Sequence, residues 1–191
     1  MRRKFYFLLF AMMISFVATA QRFEYQFGLK GGLGVDFLSA NEDITNKDNG
    51  FCYKFGLTGI YYFGENYGIT SGFNIIGHDL SYYKPEKVNL SNTYFQIPVL
   101  LKMRTDAFAS KFRIFGEIGY GLDLLVKEND EHNYRDVCSS FIMHLGLEVE
   151  VLNRSALQFM VAYDNVFSSM LSDGNNKLTM NNLCFEIGFL F

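Results

Sequence analysis

From residue 23 onward the chain alternates with a period of two. Phe23, Tyr25, Phe27, Leu29, Gly31, Leu33, Val35 and Phe37 are apolar or glycine, and Glu24, Gln26, Lys30 and Asp36 fall between them. That period belongs to a β-strand with one apolar and one polar face. The rhythm returns along the rest of the chain, which predicts eight strands at roughly 23–38, 51–63, 67–82, 93–104, 111–127, 137–151, 156–167 and 178–191. The apolar faces carry residues such as Phe55, Leu57, Ile69, Phe73, Val99, Ile118, Leu145, Val161, Phe185 and Phe189, and none of their positions is charged. The opposite faces hold Lys30, Asp36, Lys54, Asn74, His78, Gln96, Lys102, Arg113, Glu117, Asp123, His144, Glu148, Glu150, Gln158, Asp164 and Glu186, together with many glycines.

Alternation alone does not say which face is outside. A soluble barrel would be apolar within and polar without. Volume argues against it: about forty large apolar side chains exceed what the interior of an eight-stranded barrel holds. They must point outward, where only lipid accommodates so much exposed apolar surface. Small residues on the polar face leave room in a narrow lumen for the charges. Aromatic residues gather at strand ends, with Phe23, Tyr25, Phe63, Tyr67, Phe112, Phe189 and Phe191 at one rim and Phe37, Phe51, Tyr53, Phe141 and Phe167 at the other. Such girdles mark the two membrane interfaces. In hydrocarbon every backbone polar group needs a partner, so the sheet must close on itself. The expected fold is therefore all-β: an eight-stranded antiparallel transmembrane β-barrel of up-and-down topology.

The connections agree. Segments 39–50, 83–92, 128–136 and 168–177 are long and polar, whereas 64–66, 105–110 and 152–155 are short. Short periplasmic turns and longer external loops are the asymmetry of an outer-membrane barrel, and an even strand count puts both termini on the periplasmic side. Ahead of the first strand, Arg2, Arg3 and Lys4 precede an apolar stretch from Phe5 to Val17 and a small-residue site at Ala18-Thr19-Ala20. The expectation is a secretory signal over residues 1–20, cleaved to leave Gln21, and one barrel domain over 21–191. The apolar stretch is short of the roughly 20 residues a membrane helix needs.

The polar lumen is the candidate site. Lys30, Lys54, His78, Lys102, Arg113, Glu117, His144, Glu148 and Glu186 are expected to pair there, because an unpaired buried charge costs several kcal/mol. The expected role of these residues is structural, a salt-bridged plug. Ser140, His144 and Glu148 share a face, but steps of four residues along a strand separate side chains by about 13 Å. No catalytic, cofactor-binding or metal-binding residue is expected, and no enzyme. The three cysteines, Cys52, Cys138 and Cys184, match no zinc or redox spacing; Cys52 and Cys138 lie toward one rim on strands expected to be apart, so unpaired, packed thiols are expected. Net charge is −3 and no basic tract stands out, so no nucleic-acid partner is expected. The charged loops at 41–49 and 127–136 are surfaces a partner could touch.

Three stretches resemble the PorT-like outer-membrane β-barrel proteins of Bacteroidetes. Phe27-Gly28-Leu29-Lys30-Gly31-Gly32-Leu33 is similar to that family's opening GxKGGxN strand, with Gly34 in place of the Asn. Tyr94-Phe95-Gln96-Ile97-Pro98-Val99-Leu100-Leu101-Lys102 resembles its YLEIPLLLK strand. Phe115-Gly116-Glu117-Ile118-Gly119-Tyr120-Gly121-Leu122 resembles its xAGPxxGYLL strand. The resemblance implies an eight-stranded barrel in the outer membrane. One member of that family takes part in type IX protein secretion, so the resemblance also brings an accessory role in secretion into consideration. The expected function is a structural or interaction role, accessory to protein secretion or envelope biogenesis, with outer-membrane lipid and envelope or secretion proteins as partners. A minor small-solute or ion pore and a lipid-modifying enzyme are the alternatives.

Overall fold

The structure is a computed structural model. It describes residues 24–40, 45–47, 49–84, 86–109, 111–127, 136–152, 155–168 and 178–191. The expected signal segment and its cleavage site lie outside these residues, as do 128–135 and 169–177 of the expected loops.

The strands are β1 (Glu24–Ala40), β2 (Thr45–Lys47), β3 (Gly50–Tyr62), β4 (Tyr67–Lys84), β5 (Glu86–Arg104), β6 (Phe112–Lys127), β7 (Val137–Leu152), β8 (Ser155–Val166) and β9 (Leu178–Leu190). All but β2 form one ring in which each strand pairs with its neighbours in the chain, and β9 pairs back onto β1. The seam between β9 and β1 is antiparallel, from Gly28 opposite Leu190 to Ala40 opposite Leu178. This is the expected closed eight-stranded barrel. No helix among the described residues is long and apolar enough to cross a membrane.

The faces divide as parity requires. Leu33, Phe55, Leu145 and Phe185 are 60%, 57%, 66% and 55% exposed, whereas Lys54, Lys102 and Glu186 are 2%, 0% and 0% exposed. Charges inside and bulky hydrocarbon outside invert the usual order of a water-soluble protein. Outward glycines sit opposite aromatic residues: Gly31 faces Phe55, Gly59 faces Phe27 and Gly77 faces Tyr53 across the ladder. These rings lean over the bare backbone and cover it. At the rim of long loops Tyr120 meets Phe141 and Phe167, and at the rim of short turns Phe108 meets Phe112 and Phe189 meets Phe191.

Two expected loops differ. Residues 83–84 and 86–92 are strand: β4 and β5 remain paired from Tyr67 opposite Met103 up to Lys84 opposite Glu86. Pairing of β3 with β4 stops at Phe51 opposite Asp79, and β5 pairs with β6 only from Thr93 onward. Residues 80–84 of β4 therefore project past the wall by about 17 Å at 3.4 Å per residue. The Ser, Asn and Lys residues of this hairpin read as a loop in sequence, yet they stand between Leu80, Val88 and Leu90, which keep the strand rhythm. Within the expected 39–50 loop, β2 lies along β4 at Tyr82 and Tyr83, filling the edge that β3 leaves free.

Pro98 stands in the middle of β5. It has no N–H to donate, and the β4–β5 ladder skips from Ser71 opposite Val99 to Asn74 opposite Gln96. The Ser71 hydroxyl donates to the Pro98 carbonyl at 2.9 Å. Gly72 occupies this gap at φ 153°, a conformation that side chains resist.

Candidate functional site

The lumen is stacked in layers along the barrel axis. At the end of the short turns a vestibule of about 280 Å³ is bordered by Gln26, Arg104, Arg113, Glu148 and Glu150. Arg113 lies in this mouth, its Nη1 3.4 Å from Glu150 Oε2 and 3.8 Å from Glu148 Oε1. Arg104 Nη1 reaches Glu148 Oε1 at 3.5 Å, and its guanidinium stacks 4.0 Å above the Tyr62 ring. Tyr62 joins Ile60, Ala156 and Leu190 in an apolar cluster.

Above it lies the first charge cluster. Lys102 Nζ is 3.2 Å from Glu117 Oε1 and 3.6 Å from Glu148 Oε2, and it sits 3.9 Å from the centre of the Phe115 ring. Glu117 also accepts from the Thr70 hydroxyl at 3.0 Å and from His144 Nδ1 at 2.8 Å. Gln158 donates to Glu148 Oε2 at 3.0 Å. The second cluster shares Glu186 between Lys30 and Lys54, both at 3.3 Å, and Lys54 also meets Asp164 Oδ2 at 2.6 Å. Gln96 links Asn74, Ser140 and Asp164 through bonds of 2.8, 3.3 and 3.4 Å. Nearest the long loops, His78 Nδ1 is held by Asp36 Oδ2 at 2.9 Å.

The structure thus gathers Lys102, Glu117, His144 and Glu148 in one cluster and Lys30, Lys54 and Glu186 in another. His78 stands apart with Asp36, and Arg113 stands at the mouth. Asp164, which parity had already placed on the inward face, and Arg104, which had not been placed there, complete the network. Parity was the available signal for Arg104 too, because it shares the inward register of Gln96 and Lys102. The inward face is also less polar than expected. Tyr62, Phe115, Leu100 and Ile142 are buried within the barrel, where they fill the bore between the charges.

Asp123 departs from this pairing. It is 4% exposed and beside Ser140 and Gln96, and none of the lumen's ion pairs described above includes it. It borders a cavity of about 10 Å³ shared with His78, Gln96, Asp164 and Asn182, room for about one water molecule.

Ser140, His144 and Glu148 are not joined in a relay by the hydrogen bonds of the lumen. Ser140 is bonded by Gln96, and the Nδ1 of His144 is committed to Glu117. No group of three or more His, Cys, Asp or Glu side chains suited to hold a metal ion occurs among the described residues. All three cysteines are buried and none is in a disulfide, as expected. Cys52 packs against Cys184, with the two sulfurs 3.0 Å apart. Ring closure is the reason: Gly34 of β1 faces Cys52 on one side and Cys184 on the other.

A family model described as outer membrane protein beta-barrel domain matches residues 7–191. Among solved structures, the chain is similar to the outer membrane protein OprG of Pseudomonas aeruginosa, with a TM-score of 0.61, 14% identity, and coverage of 87% of this chain and 95% of that one. It is also similar to Neisserial surface protein A, with a TM-score of 0.55, 10% identity, and coverage of 85% and 95%. The outer membrane enzyme PagL matches with a TM-score of 0.50 at 9% identity, over 84% of this chain and 97% of that one. No curated protein matches by sequence. At these identities the likenesses concern the fold.

Proposed function

We infer the role of this chain from the family to which it belongs, the outer membrane protein beta-barrel domain family, whose model spans residues 7–191. The chain is a small barrel of the outer membrane. Our reading of its role is a non-conducting, non-catalytic structural or interaction protein of the PorT-like kind, accessory to secretion or envelope biogenesis. One observation carries the non-conducting part: the bore is crossed by ion pairs from Glu148 to Asp36 and filled between them by Tyr62, Phe115 and Leu100. Moving an ion through it means breaking desolvated pairs, at several kcal/mol each. The projecting β4–β5 hairpin supports the interaction part, because its paired backbone extends beyond the wall, where a membrane or secretion partner can reach it.

Planar-bilayer recording tests the plug. The purified barrel is expected to give no steady single-channel steps, and reproducible steps would establish the pore reading instead. Photo-crosslinking from the hairpin tip near residue 85 in living cells tests the interaction reading. A discrete protein adduct is expected, and adducts with lipid alone would count against it. The absence of catalysis is tested by the lipid profile of cells that lack the protein, which is expected to be unchanged.

A further inference from the structure

We propose that Cys52 and Cys184 form a disulfide that staples β3 to β9 across the barrel seam. Both thiols are buried, at 0% and 1% exposure, and their sulfurs lie 3.0 Å apart inside the lumen. A flat sheet would hold residues two strands apart at about 9.6 Å between Cα atoms, beyond the usual 4.4–6.8 Å of a disulfide. Two features of this barrel shorten that gap. The wall curves inward, and the residue between the cysteines is Gly34, which puts nothing in their way. A methyl group there would sit 2.7 Å from Cys184 Sγ and 2.6 Å from its Cα. Contraction from 3.0 Å to a bond of about 2.05 Å falls on this bare stretch of β1.

The chemistry balances as a thiol–disulfide exchange. The two thiols lose two protons and two electrons and join as one S–S bond. The electrons pass to a disulfide of the oxidant, a thiol–disulfide oxidase or a small-molecule disulfide, which is cleaved to two thiols. In the folded barrel neither sulfur is accessible, so the exchange belongs to assembly, as β9 docks on β1 and brings the two thiols together in the oxidising compartment on the route to the outer membrane. Folding then selects the pair. Cys138 lies on β7, beside the upper cavity, and takes no part in this bond. The bond encloses the chain between residues 52 and 184, a long loop of the kind whose cross-linking constrains the unfolded chain most.

The test is thiol mapping of the full chain by two routes. In the first, the protein is extracted from outer membranes in denaturant with a maleimide present. In the second, the unfolded chain is refolded into detergent with oxidised glutathione. Digestion without reductant is expected to give a peptide containing Cys52 linked to one containing Cys184, with the maleimide on Cys138 alone. The oxidised barrel is expected to resist urea to a higher midpoint than the same protein after reduction in denaturant and refolding. Cys138→Ser is expected to keep the linked peptide, and Gly34→Ala to lose it. Three modified cysteines by both routes, or a linkage that includes Cys138, would overturn the proposal. The mapping needs no variant, so a variant that fails to fold leaves the test intact. It is also independent of partner and conductance, so its failure would not touch the functional reading.

Discussion

Lys102→Met is the sharpest test of the plug. Lys102 is fully buried, and its ammonium serves both Glu117 and Glu148. Methionine retains most of the apolar stem while deleting the ammonium, and with it the cation that sits over the Phe115 ring. The two carboxylates then fare differently. Glu148 keeps Arg104 at 3.5 Å and Gln158 at 3.0 Å. Glu117 keeps the Thr70 hydroxyl and His144 but loses its lysine. Breaking a buried pair by removing one partner costs about 3–5 kcal/mol, since the remaining charge stays desolvated. That is a large share of the roughly 5–15 kcal/mol that separates a folded protein from its unfolded chain. Adding Glu117→Gln should return at least half of the loss, because a neutral amide can remain bonded to Thr70. The chain has no Trp, so urea unfolding from lipid vesicles is best followed by circular dichroism and the heat-dependent shift on gels. A loss below about 1 kcal/mol in the single variant, typical of solvent-exposed pairs, would refute the reasoning, because it would mean the lumen is wet. A double variant no better than the single one would show that Glu117 is not where the penalty resides.

Three further outcomes follow from the faces and the layers. Leu145→Arg places a charge on an outward position in the middle of β7 and should cost about 2–4 kcal/mol in folding into liposomes; a loss near zero would mean that this face does not meet lipid. Asp123→Asn should stabilise the barrel by about 1–3 kcal/mol, since it removes a buried charge that none of the described ion pairs neutralises, and a lower urea midpoint would show that the surroundings favour the carboxylate. Gly72→Ala should destabilise by at least about 1–3 kcal/mol through overpacking, because the new methyl would press on the Leu57 carbonyl from a positive φ; unchanged stability would mean that the strand relaxes there freely.

Parity made most of this fold legible. Once the apolar faces were too bulky for the bore, the inward placement of Lys30, Lys54, Lys102 and Glu117 followed from counting by twos. What parity does not supply is lateral position, since the partners of a residue on one strand are set by register with the next. Lys102 meets Glu117 because β5 and β6 pair those two residues directly, and no property of either residue alone announces it. The thiol contact was hidden for the same reason: Cys184 nears Cys52 only once the ends of the chain are joined. Polarity misled at the β4–β5 hairpin, where backbone pairing outlasts the membrane and needs no apolar face. It misled again at Phe115 and Tyr62, where space left by inward glycines is taken by rings rather than water.

The seam between β1 and β9 bears on how the molecule comes into being. A ribosome releases β1 first and β9 last, and neither the first strand nor β8 has its second neighbour until then. No shorter intermediate is a complete cylinder; each is a ribbon with two unmatched margins, open to stray pairing with any extended chain. Closure of the ring therefore waits until the last strand has reached the outer membrane with the rest of the chain. Because the joining residues are so far apart in the chain, it should also be slow.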